Sequence, residues 1–114
     1  MPTVRIREYL DSKGSSPWAE WRRSLDAEAR TNVTIALYRM AEGNFSNVKG
    51  VGAGVFERVL DWGPGYRIYF AKDGDTVVIL LGGSSKKGQQ RAIDEAKHHW
   101  ADYRRRKAMD KTWH

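Results

Sequence analysis

Arg67 and Tyr69 stand two residues apart in Tyr66-Arg67-Ile68-Tyr69-Phe70, a segment of β-forming residues. In a strand, residues two apart project from the same face. Arg58 lies on the preceding β-rich segment, where a hairpin would bring it beside them, and Lys86 follows the next one. These four residues match the needs of a phosphate site: arginine offers planar paired donors to phosphate oxygens, lysine a compact charge, and tyrosine a stacking surface with a hydroxyl. The plainer alternatives are a pairing of Arg58 with Asp61 and an aromatic that simply fills a core.

Other candidates point less clearly to chemistry. Gly50-Val51-Gly52-Ala53-Gly54 has the glycine density of a dinucleotide loop. It precedes a strand instead of joining strand to helix, so a phosphate there would meet no helix N-terminus, and it reads as a flexible lead-in. His98 and His99 are neighbours on a helical segment, where adjacent side chains diverge, and read as solvated. Arg104-Arg105-Arg106-Lys107 is a basic block that either binds RNA or closes a helix. The chain has no cysteine, which removes disulfides, thiolate nucleophiles and cysteine-based metal centres from consideration; neither a metal nor a cofactor is expected.

Net charge is +6, with 8 basic and 7 acidic residues over 1–57 against 12 and 7 over 58–114. The second half therefore carries the positive field, which favours polyanions such as nucleic acid. The 114 residues, 40% of them hydrophobic with five tryptophans, fit one domain with a real core. No apolar run approaches a membrane span, and Arg5, Arg7 and Glu8 interrupt the stretch a signal peptide would need, so the expected location is the cytoplasm.

The elements that must position these residues can be read in order. Residues 4–10 alternate as a strand. Ser16 followed by Pro17 starts a short helix to about Leu25, and Asp26 caps a second one that ends at Gly43. Residues 54–60, 65–72 and 76–82 form an antiparallel meander, with 77–81 as its central strand covered on both faces. A last helix runs from Gln89 to about Lys107, and residues 108–114 are expected to form a frayed tail. The expected class is α/β (α+β): one domain over 1–114, with an N-terminal strand and helical hairpin packed on a mainly antiparallel sheet and a C-terminal helix.

Trp18-x-x-Trp21 with Leu25, Gly43-Asn44, Gly52-x-Gly54-Val55-x-Glu57-Arg58, Gly63-Pro64-Gly65-Tyr66-Arg67-Ile68-Tyr69-Phe70, Leu80-Leu81 and Lys86-x-x-Gln89 follow one another along the chain. This series resembles the phage-derived, HigB-like branch of the RelE/ParE toxin superfamily. The resemblance implies the compact RelE-like fold and the toxin of a type II toxin–antitoxin pair. The implied activity is that of a metal-independent, ribosome-dependent mRNA endonuclease. It implies catalytic roles for Arg58, Arg67, Tyr69 and Lys86, and RNA contacts for Gln89, Lys87 and Arg91. Its partners would be a helix-turn-helix antitoxin, held in a hetero-oligomer, and mRNA on the ribosome. Ser85 and Ala92 stand where family members commonly carry acidic residues. Two other functions share the fold: a ParE-like inhibitor of DNA gyrase that cleaves nothing, and an RNA-binding module without cleavage.

Overall fold

The computed structural model describes residues 4–112. Its order is β1 (Arg5–Glu8), α1 (Pro17–Arg23), α2 (Ala27–Ala41), β2 (Val48–Gly52), β3 (Val55–Val59), β4 (Arg67–Asp73), β5 (Val77–Ser84), a short 3₁₀ turn (Lys86–Gly88) and α3 (Gln89–Thr112). The five strands lie in the order β1-β5-β4-β3-β2, with β1 parallel to β5 and every other pairing antiparallel. No helix among the described residues is long and apolar enough to cross a membrane.

Local chemistry fixes the helical hairpin. The Ser16 hydroxyl accepts from the Ala19 amide at 3.0 Å, with Pro17 in the first turn, and the Asp26 carboxylate accepts from the Ala29 amide at 2.8 Å. At the far end of α2, the amides of Gly43 and Asn44 return to the carbonyls of Met40 and Arg39. Gly43 has a positive φ of 91° there, which completes a Schellman stop.

The sheet is covered on both faces. Ile68, Phe70, Val78 and Leu80 pack under Trp18, Val33 and Met40 of the hairpin. Tyr69, Ala71, Ile79 and Leu81 pack under Ile93, Ala96 and Trp100 of α3. β5 is thus sandwiched as expected, although β4 is the middle strand. Hydrogen bonds from Tyr9 to Asp102 (2.7 Å) and from Tyr103 to Asp73 (2.6 Å) fasten α3 across the strands.

Four expectations change. The Gly50–Gly54 segment is no loose lead-in, because Val48–Gly52 forms β2 and pairs with β3 through a two-residue turn at Ala53-Gly54. Both turn residues have positive φ, 55° and 83°, the geometry that joins twisted strands tightly. The helix expected to stop near Lys107 continues to Thr112, and residues 113–114 lie outside the described residues. Its basic block is occupied internally: Arg105 and Arg106 pair with Asp102, Lys107 with Asp73, and Arg104 lies over the Trp100 ring. His99 is half-buried and stacks on Tyr9 at 4.8 Å, and burial pushes its imidazole below the usual range, so it is not the solvated histidine expected.

Gly83 on β5 lies tightly against α1. A Cβ built there would sit 2.3 Å from the Trp21 ring of α1. Gly83→Ala must therefore push α1 off the sheet, and a loss of about 1–3 kcal/mol is expected from overpacking. Urea denaturation measures it; an unchanged midpoint would show that α1 is not seated on β5 in this way.

Candidate active site

The β3–β4 register decides which side chains meet. Glu57 stands opposite Tyr69, and Val59 opposite Arg67, so Glu57, Tyr69 and Arg67 share the face that α3 covers. Arg67 in turn lies opposite Ser84 of β5. Glu57 is fully buried at 0% exposure. Such a carboxylate is very unfavourable unless cations and donors surround it.

Three elements supply them. Arg67 Nε of β4 lies 3.6 Å from Glu57 Oε2, Lys49 Nζ of β2 lies 3.5 Å from Oε1, and Gln89 of α3 donates through Nε2 to Oε2 at 2.8 Å. The Arg67 guanidinium also donates to the Gly65 carbonyl. Among the described residues, Glu57 Oε1 and Arg67 Nε have no hydrogen-bond partner, so ion pairing carries these contacts. Below them the Tyr69 hydroxyl and Ser84 Oγ share a hydrogen bond of 3.0 Å. Burial pushes the Tyr69 phenol up to about 12, and the negative charge of Glu57 acts in the same direction.

The rim of the cluster is cationic. The Lys86 amide donates to the Pro64 carbonyl at 3.3 Å, which anchors the 3₁₀ turn on the 61–66 loop. A Cβ built on Gly65 would lie 3.1 Å from the Arg67 guanidinium and 3.5 Å from Lys86 Cβ, so the two cations flank one turn. Lys86 and Lys87 are exposed on it.

The structure thus brings together Arg67, Lys86, Lys87 and Gln89, and separates others. Tyr69 is 0% exposed, so it offers no stacking surface; α3 must bury its own Ile93–Trp100 stripe and takes the face on which Tyr69 lies. Gln89 spends its amide on Glu57. Arg91 is exposed and pairs with Glu95 at 3.1 Å one turn along. Arg58, expected beside Arg67, stands opposite Val48 and Ile68, on the face under the helical hairpin. The reason is parity: Arg58 is one residue from Glu57, and neighbouring strand residues face opposite ways. Glu57, Lys49 and Ser84 were missed in the sequence. The readable sign was an acidic residue two positions from Val55 and from Val59, on a side of the strand otherwise apolar.

Arg67 is 9% exposed and faces a buried charge, so it is not a surface residue that can be truncated without effect. Arg67→Ala is expected to cost about 3 kcal/mol, because the buried carboxylate then keeps only the exposed Lys49 and the Gln89 amide as partners. Adding Glu57→Gln should restore more than half of that loss in urea denaturation. Additive losses in the double variant would show that the two side chains do not act as a pair.

No family model matches the chain. An uncharacterized protein of Haemophilus influenzae is 39% identical over 95 residues, covering 83% of this chain and 91% of that protein. The solved structure of the E. coli toxin RelE, an arginine double mutant in the free state, aligns with a TM-score of 0.61 at 17% identity, covering 84% of this chain and 95% of that one. The five-stranded sheet, helical hairpin and C-terminal helix are therefore those of the RelE fold, and the chain belongs to one family with the Haemophilus influenzae protein.

Proposed function

We propose that this protein is the toxin of a type II toxin–antitoxin pair, of the HigB-like branch of the RelE/ParE superfamily, and that it cleaves mRNA on the ribosome in the cytoplasm. The observation that carries the reading is the cationic rim: Arg67 and Lys49 pinned around buried Glu57, with Lys86 and Lys87 exposed beside them. One carboxylate is set against four cations. Such a rim suits a phosphodiester better than a protein surface, and the RelE fold and the positive second half of the chain support the same conclusion.

In this reaction the 2′-hydroxyl of an RNA residue attacks the adjacent phosphorus. The O2′–P bond forms, the P–O5′ bond breaks, the hydroxyl proton is lost and the departing oxygen gains one. Negative charge accumulates on the phosphorane oxygens, and fixed cations aimed at them lower the barrier. Arg67 and Lys86 take that role, Arg67 from a guanidinium held at both ends by Glu57 and the Gly65 carbonyl. Lys87, with Arg91 beyond it, guides the RNA backbone. Gln89 acts through Glu57, and Tyr69 through Ser84, as positioning residues. The partner is a helix-turn-helix antitoxin whose acidic segment would be steered to the basic half of the chain.

Lys86→Ala tests the assignment, since an exposed lysine can be removed for about 0.5 kcal/mol or less. The variant should keep its melting temperature yet lose about 100-fold or more in RNA cleavage and stop arresting growth. Primer extension on RNA from expressing cells provides the measurement. Undiminished cleavage would remove Lys86 from the site; intact RNA in wild-type cells alongside gyrase-linked DNA breaks would replace the nuclease with a gyrase inhibitor.

A further inference from the structure

Arg58 is a buried cation that the active site does not use. It is 5% exposed and lines a pocket of about 250 Å³ with Arg39, Asn32, Asn47, Asp61 and Trp62. Its Nη1 donates to the Asn44 carbonyl at 3.0 Å. Among the described residues, no carboxylate lies within ion-pair distance of Arg58 or Arg39. Burial, and after it the Arg39 charge, push the Arg58 guanidinium below its usual range.

A buried guanidinium without a counter-charge is an unfavourable arrangement, and a second arginine on the same wall makes it worse. Asp61 does not relieve it: its Oδ2 accepts from Asn47 Nδ2 at 3.3 Å and stands outside ion-pair reach of both arginines. The wall keeps a net positive charge. Trp62, stacked on Tyr66 at 5.9 Å, lines the same pocket as the two cations. An aromatic next to arginines is the combination that binds a base together with its phosphate.

We infer that the Arg39–Arg58 pocket binds a nucleotide phosphate, with Trp62 as the surface for the attached base. That phosphate belongs either to a free mononucleotide or to an RNA strand. Arg58 and Arg67 lie at the same end of the β3–β4 hairpin on opposite faces, and the 61–66 loop divides them. A strand passing round the loop would meet both, and this second source rests on the proposed nuclease function, whereas the first does not.

Thermal unfolding of the full chain in sodium phosphate, adenosine 5′-monophosphate and sodium chloride at matched ionic strength tests the inference without any cleavage step. Phosphate and the nucleotide should raise Tm by about 5 °C or more above chloride once they exceed roughly ten times their Kd. Arg58→Met replaces an unpaired buried charge with an apolar chain and should fold as well as the parent, while Arg39→Ala alters an exposed residue. Both should abolish the shift, and Lys86→Ala should retain it. With a labelled oligoribonucleotide, loss of one phosphate contact in Arg58→Met would reduce the salt slope of binding by about 0.7 and identify the RNA strand as the source. An unchanged slope in Arg58→Met, although that variant has lost the thermal shift seen in the parent, would identify the free nucleotide. Equal Tm in phosphate and chloride, or a shift that survives Arg58→Met, would overturn the proposal.

Discussion

A fully buried carboxylate organises this protein. Glu57 sits inside the layer between the sheet and α3, where an ionised group persists only if other groups answer its charge. The groups that do so come from β2, β4 and the first turn of α3. Each is held at its polar end, so one buried carboxylate sets the position of the side chains gathered around it. Arg67 illustrates this best: Glu57 on one side and the Gly65 carbonyl on the other fix its plane. A guanidinium fixed in this way has little further freedom to lose, as the proposed phosphate contact requires.

The same layer explains why the site is a rim and not an open sheet face. β4 and β5 bury side chains on both faces, so the Arg67–Tyr69 face is exposed only at its Arg67 end, where the 61–66 loop and the Lys86–Gly88 turn meet. α3 cannot lift easily, since Tyr9, Asp102, Tyr103 and Asp73 tie it across the strands. Tyr69 is then part of the floor. Its phenol, pushed up to about 12, stays protonated and bonded to Ser84.

Much of the fold was legible in the sequence because its local signals are strong. Ser16-Pro17, Asp26 and Gly43-Asn44 each use one side chain or one left-handed residue to start or stop a helix, and all three stand where expected. β2 was not legible, because its turn uses Ala53 at a positive φ where asparagine or aspartate would have signalled a hairpin. The candidate site was half legible. The nearness of Arg67 and Lys86 followed from residue type and spacing, while Arg58 was placed on the wrong face by a difference of one residue in register. Glu57 escaped because its meaning lies in three long-range contacts that no local pattern encodes.

The central claim is that the cations gathered around Glu57 drive transesterification of RNA, and the chemistry of the product ends tests it most directly. Purified protein, incubated with translating ribosomes and a defined message, should leave a 2′,3′-cyclic phosphate on the upstream fragment and a 5′-hydroxyl on the downstream one, both identifiable by mass spectrometry. Fragments ending in a 5′-phosphate, or a message that stays whole while growth is arrested, would contradict it.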